Sequence, residues 1–455
     1  MIVVSKISRI LIIALFCNFI FTAIYIGASF LPKEEMISSL QKASTTGVLK
    51  TPLNSIERAT TGWGIDYGTE CVALSIGLKD KQEFVGLKKY FSRFYDGFSN
   101  VGAADGVFDP CSGLNRIVQS SSNQTLDSTL QSYARNWWGM SVLMQVLYLL
   151  VGLALAKTYL YIIGIVLTVY FYKLLSKKTG NNKIGVFFLA PSILFADFQE
   201  IHNSFPFMVF YIQMLLTGIV LLKLFDFKDY DNFRLILFGL LLGSIYNFIF
   251  WLDFHMVITF SSLTIFLILW GKEKNSLIIK RIVFFESAWI FGFIFSTIYK
   301  WIISSLIFGS EVSESIYAAL GVRLSSSSDG LNAPLSEYSK DFSFLPTSLR
   351  AVIINLMAFA SKFIDPRNSS TFGLIIVLVA LLMLGGFFLK KYQPWKYIPK
   401  QDAFFILILA FIPIFYFALT PNHSFNHAVV TYRALPISLG FILAAVFKGK
   451  LIYKK

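Results

Sequence analysis

Charge is what this sequence has least of. Only 15% of its 455 residues are charged, against about 25% in an ordinary soluble domain. Hydrophobic residues make up 55%, 47 of them phenylalanine, and they fall into repeated runs of roughly 18 or more, the signature of spanning helices. This excludes a soluble globular domain and predicts an all-α polytopic membrane protein. Histidine and cysteine are equally scarce, at four and three. That is too few for a disulfide scaffold, and no spacing matches a zinc site. Nor is there an internal repeat, which weighs against transporters built from inverted repeats.

The formal net charge is +14, which in a soluble chain would suggest nucleic acid. Here 21 of the 40 lysines and arginines sit in six short segments: the N-terminus with Lys6 and Arg9, then 173–183, 223–234, 271–281, 390–400 and the tail from Lys448. Such clustering follows the positive-inside bias, so these charges read as orientation signals for a bilayer rather than as a nucleic-acid surface. All six segments are expected in the cytoplasm, together with both termini, in a plasma (inner) membrane protein. The first apolar run, from Ile10 to about Leu31, is longer than a signal-peptide core of 7–15 residues and is read as a retained helix.

That side assignment predicts ten spans, at about 10–31, 156–173, 184–200, 205–223, 235–251, 256–271, 282–304, 371–390, 403–420 and 428–447. The chain then divides into a cytoplasmic N-terminus with helix one (1–31) and a large extracytoplasmic loop with an interfacial helix (32–155). Helices two to seven follow (156–304), then a second outer loop with an interfacial or re-entrant helix (305–370), helices eight to ten (371–447) and a basic tail (448–455). The short helices expected at 140–156 and 349–364 do not span. On this layout the acids, all four histidines and the aromatic-rich turns face outward.

Four outer stretches could carry chemistry. In "GIDYGTEC" Asp66 and Glu70 are four apart, close enough to converge. Two neighbouring carboxylates suit a base that activates an acceptor hydroxyl, and they equally suit a solvated loop. Asp253, in "WLDFHM" where two helices meet, occupies a depth at which ionisable groups are functional or paired. His255 is its nearest candidate partner, and a solvated turn is the competing reading. In "TPNHSFNHAVVTYRALP" (420–436), His423 and His427 precede Arg433, which lies about 9 Å further along a helix. There a guanidinium can bind phosphate at the lipid boundary, snorkel outward or pair with an acid. "YARNWWGMS" adds Arg135, Trp137 and Trp138; the indoles suit membrane anchors and sugar platforms alike. Cys17 reads as packing. Whether Cys71 and Cys111 pair is open, since spacing alone does not decide it.

This organisation resembles the C superfamily of membrane glycosyltransferases: one helix, a large outer loop with an essential acid, and further spans around a polyprenyl-phosphate-sugar site. It also resembles a group of bacterial envelope membrane proteins in which an acid after Thr, a "YWHG"-like turn, an "FDFLT"-like turn and an "NHSxxHxxxTYR"-like end occur together. The corresponding residues are Glu70 after Thr69, Trp137–Gly139, Asp253, and Asn422 to Arg433. The resemblance implies an inverting transfer of a sugar from a polyprenyl-phosphate donor to an envelope glycan acceptor. Catalytic roles would fall to Glu70, Asp66 and Asp253. Arg433, Arg135, His427 and His423 would bind donor phosphate, while Trp137, Trp138 and His255 would bind sugar. A divalent cation could sit among the three acids, though nothing in the sequence requires one. The rival expectations are a surface-polysaccharide polymerase and a flippase or transporter of lipid-linked sugars.

Overall fold

The computed structural model describes residues 2–49, 67–76, 78, 86–92, 96–98, 111, 114, 118, 130–132, 136–195, 204–225, 231–249, 254–310, 312–317, 342–360, 376, 379–380, 383, 390, 397–426 and 431–453. They form a helical protein whose strands are two three-residue pieces, β1 (Asp96–Phe98) and β2 (Leu130–Ser132), paired antiparallel.

The chain opens with α1 (Ile2–Ala28), α2 (Lys33–Thr45), α3 (Tyr67–Ser75) and α4 (Leu87–Ser92). Next come α5 (Gly139–Val151), α6 (Leu153–Thr179), α7 (Asn182–Phe195), α8 (Phe205–Leu224), α9 (Asn232–Ile249), α10 (Phe254–Leu269) and α11 (Asn275–Phe308). The chain closes with α12 (Thr347–Ala360), α13 (Lys400–Ala410), α14 (Ile412–Leu419), α15 (Pro421–Asn426) and α16 (Ala434–Tyr453). Among the described residues, six helices are long and apolar enough to cross a membrane: α1, α6, α8, α9, α11 and α16. The pair α13 and α14 makes a seventh if its 42° bend is bridged by one span. The bend falls where Pro413 removes a backbone donor from the ladder. Of the remaining predicted spans, two correspond to α7 and α10, which are apolar but only 14 and 16 residues long. The third, 371–390, lies almost wholly outside the described residues.

Burial sorts the helices into centre and rim. In their most apolar windows α8 is 78% buried, whereas α1 and α6 are each 22% buried. On α1, Ile12, Phe16 and Phe19 point outward, and on α6 Ile163 and Val166 do so, as side chains facing lipid tails would. α10 is buried along nearly its whole length. Wrapped by protein, a helix need not match the full thickness of the bilayer.

The tightest seam joins α9 to α11. A Cβ on Gly243 would come within 2.0 Å of the Trp289 carbonyl oxygen, and one on Gly239 within 2.6 Å of that of Phe285. With no side chain at either position the two backbones touch, the packing mode of membrane helices.

Elsewhere the predicted short helices appear as separate elements. α5 ends at Gly152, whose φ of +79° turns the chain before α6 begins. α12 packs on α14 and α15.

The described residues of the six basic segments gather at one end of the bundle. Lys6 lies over Phe233 and Lys183 over Phe447. Lys178 donates to the Phe225 carbonyl and Lys272 to that of Lys178. Arg281 makes a forked pair with Glu273. Ile398 meets the chain at Gly449. At the heart of this end, Asp402 accepts hydrogen bonds from Trp270, Asn275 and Tyr453, and the buried Lys448 donates to the Leu267 carbonyl.

Candidate functional site

The opposite end holds Glu70, His255, His423 and Arg433, the marked polar residues that are described, and three local structures position them. The first surrounds Glu70 on α3. Cys71, the next residue, is disulfide-bonded to Cys111 with Cα atoms 5.0 Å apart, which answers the open pairing question. Gln145 of α5 donates to the Ile76 carbonyl just past the end of α3. Held this way, Glu70 is 2% exposed, and its Oε1 lies 2.5 Å from the Lys157 ammonium near the start of α6. Among the described residues its other oxygen, Oε2, accepts no hydrogen bond. A buried carboxylate is tolerated when a cation faces it, and here that cation is Lys157.

The second structure surrounds Arg433. The side chain is buried at 3% exposure just before α16, with its guanidinium carbon 4.3 Å from the centre of the Phe207 ring on α8. Stacking on an aromatic face satisfies the plane of the cation and leaves its edge, where the N–H groups lie, for other partners. α3 touches α8, so the Glu70 helix and the ring beneath Arg433 belong to neighbouring elements.

The third structure is a hydrogen-bonded knot around Thr431. His255 Nε2 lies 3.1 Å from the Thr431 carbonyl, and the Thr431 hydroxyl donates to Asn355 on α12. The Asn355 amide donates in turn to the Ser424 carbonyl of α15. The His255 ring stacks on Tyr416 at 4.0 Å. His423 meets the edge of the same tyrosine at 6.4 Å. Thus α10, α12, α14, α15 and the turn before Arg433 are fastened together at one place.

The indoles sit elsewhere. Trp137 and Trp138 are 1% and 3% exposed. Trp137 donates to the Ser296 carbonyl and packs among Phe21, Tyr25 and Phe248. The Trp138 backbone N–H donates to the Tyr25 hydroxyl. Gly139 follows because any Cβ there would strike the Phe248 ring at 2.5 Å. An open sugar platform needs an exposed ring face, and these rings are enclosed in the core. Asp66, Arg135, Asp253 and His427 lie outside the described residues, as do Asp197, Glu200 and His202. Among the described residues no three His, Cys, Asp or Glu side chains gather as a metal site.

Three polar residues of the bundle had not been singled out from sequence. Lys157 is one. Lys300 is another: it is 2% exposed, and its ammonium lies 4.5 Å from the Tyr25 ring centre and 4.8 Å from that of Trp137. Glu286, on α11, is the third. Its Oε1 accepts from Ser261 at 2.7 Å and Ser262 at 2.9 Å. The signal for both α11 residues was an isolated charge in an apolar run, as in "RIVFFESAWIFGF", which by itself marks a site or a pair. No family model, curated protein or solved structure matches this chain.

Proposed function

We propose that the protein is a membrane glycosyltransferase that moves a sugar from a polyprenyl-phosphate-linked donor to an envelope glycan. The chemistry would take place at the end of the bundle away from the basic segments, which the positive-inside bias puts on the extracytoplasmic face. The observation that carries the reading is the burial of a carboxylate, Glu70, and a guanidinium, Arg433, at the same end of a lipid-embedded bundle. A transfer of this kind needs both groups. The acceptor hydroxyl passes its proton to a carboxylate as its oxygen attacks the anomeric carbon. The bond from that carbon to the phosphate breaks, and the departing lipid phosphate gains charge that a cation must stabilise.

Glu70 Oε2, which has no hydrogen-bond donor among the described residues, would take the proton, while Lys157 would orient the group through Oε1. Arg433 would meet the phosphate with the edge of its fork. His255 and Asn355 would position the Arg433 turn through Thr431 and touch no substrate. Ten crossings with both termini in the cytoplasm complete the proposed layout.

The test is a comparison of envelope glycans by mass spectrometry in a strain lacking the gene, complemented with wild type or with Glu70→Gln at matched protein levels. The expected result is a sugar or linkage lost in the deletion and still missing with Glu70→Gln. Full restoration by Glu70→Gln would remove Glu70 as the base. A deletion that leaves every glycan unchanged would remove the reading itself.

A second reading, a flippase or other carrier of lipid-linked sugars, is favoured by one observation: Glu286 and Lys300 are buried within α11, and charges along a membrane interior mark transport pathways. The same strains separate the two. A carrier defect would leave the lipid-linked sugar intact but confined to the inner leaflet. A transferase defect would let it accumulate on the outer leaflet.

A further inference from the structure

Glu286 is not used by the chemistry above, yet it is the most deeply placed carboxyl that α11 carries, about 16 Å along the helix from Asn275. Its direction follows from packing. Phe285, Trp289 and Gly292 are pressed against α9 by the glycine seam, which turns the neighbouring Glu286 toward α10. There Ser261 and Ser262 both reach Oε1. Oε2 is buried and has no hydrogen-bond partner among the described residues.

The helices packed against α11 are α1, α4, α9 and α10. Their charged and titratable groups are His255 on α10, Arg234 and Tyr246 on α9, Lys6, Arg9, Cys17 and Tyr25 on α1, and the lysines and tyrosine of α4. Among the described residues none of them pairs with Glu286. Arg281 of α11 itself is bound to Glu273. A carboxylate inside a bilayer with two hydroxyl donors and no cation is incomplete.

We infer that Glu286, Ser261 and Ser262 form a binding site for a small monovalent cation, either H+ or Na+. The donor set is two carboxylate oxygens and two hydroxyl oxygens, hard ligands of the kind such ions take. Ser261 is built for the exchange. Its oxygen also lies 2.7 Å from the Val257 carbonyl, so the hydroxyl can give its hydrogen there and turn a lone pair toward an ion. This site does not rest on the glycosyltransferase reading, and its test measures no sugar transfer.

The experiment treats purified full-length protein in detergent with an apolar carbodiimide, which forms a stable adduct on protonated carboxyls in apolar surroundings. Peptide mass spectrometry then reads the labelling of Glu286 against that of Glu273 in the same sample. The expected result is labelling of Glu286 in sodium-free buffer that falls when NaCl, but not choline chloride, is added. If it falls with rising pH and ignores sodium, H+ is the occupant. Labelling of Glu286 that changes with neither, or no labelling while its peptide is detected, overturns the site. In the Ser261→Ala/Ser262→Ala double variant, which keeps the carboxyl, the half-protecting sodium concentration should rise about 10-fold. Under proton occupancy the double variant should instead shift the pH midpoint. Ser262→Thr, which keeps the hydroxyl, should restore wild-type behaviour and so separates a lost ligand from a damaged fold.

Discussion

The two ends of the bundle are built to different rules. At the basic end the central acid, Asp402, receives three hydrogen-bond donors, and the deeply buried ammonium of Lys448 has a carbonyl. At the other end Glu70 has one oxygen facing an ammonium and the other without a donor among the described residues. Lys300 there rests on ring faces with no carboxylate beside it among the described residues. Satisfied buried polar groups fasten helices together, whereas unsatisfied ones persist where a site needs them. The basic end is a clasp, and the far end is the place to look for a ligand.

This contrast can be broken most severely at Arg433. Arg433→Lys keeps the charge but loses the planar fork over Phe207. The proposed sugar transfer, measured in membranes, should fall about 100-fold, with the elution profile of the purified protein unchanged; equal activity would end the proposed phosphate role.

Gly243→Leu should come next. It forces a side chain into the Trp289 backbone, and overpacking of this kind costs about 1–3 kcal/mol or more. The expected outcome is a lower midpoint in a detergent thermal-shift assay, with both ends of the bundle affected.

Asp402→Ala removes the shared acceptor of three donors. A destabilisation of about 2 kcal/mol is expected, visible as thermal aggregation, with transfer activity per folded molecule preserved. A selective loss of activity instead would erase the distinction between clasp and site. The smallest effect belongs to Glu273→Gln. The Arg281 pair is partly exposed to solvent, so the midpoint should move by less than that of Asp402→Ala, the equivalent of about 0.5 kcal/mol.

Much of the fold was legible because apolar runs report spans directly. The helices near 205–223 and 235–251 match α8 and α9 closely, and that near 10–31 matches the body of α1, which starts earlier, at Ile2. Ends were less legible, for physical reasons. α11 starts at Asn275 rather than near 282, and α6 continues to Thr179 rather than 173, because lysine and arginine are good helix formers beyond the apolar stretch. α16 begins at Ala434, directly after a turn at 432–433, whereas 427–430, where the predicted span starts, lie outside the described residues.

The candidate site was half legible. Glu70 and Arg433 declared themselves as rare charges. Their partners Lys157 and Phe207 did not, because each lies far along the chain and sequence carries no record of which helices touch. Trp137 and Trp138 read as interface residues by position, yet a contact with Ser296, distant in sequence, encloses Trp137. Glu286 is legible by the same rule that marks Asp253, an isolated charge in an apolar run.

The glycine seam has a mechanical consequence. Two helices whose backbones touch cannot ratchet by a turn, because the carbonyls of one would have to climb over the Cβ atoms flanking each glycine of the other. α9 and α11 therefore act as a single beam. Any opening of the bundle has to be taken up at joints, and the described residues contain two: the bend between α13 and α14 and the turn at Gly152. The first adjoins the Arg433 knot and the second the Glu70 pair, so the same articulations that let the bundle breathe would carry the two halves of the site apart and together.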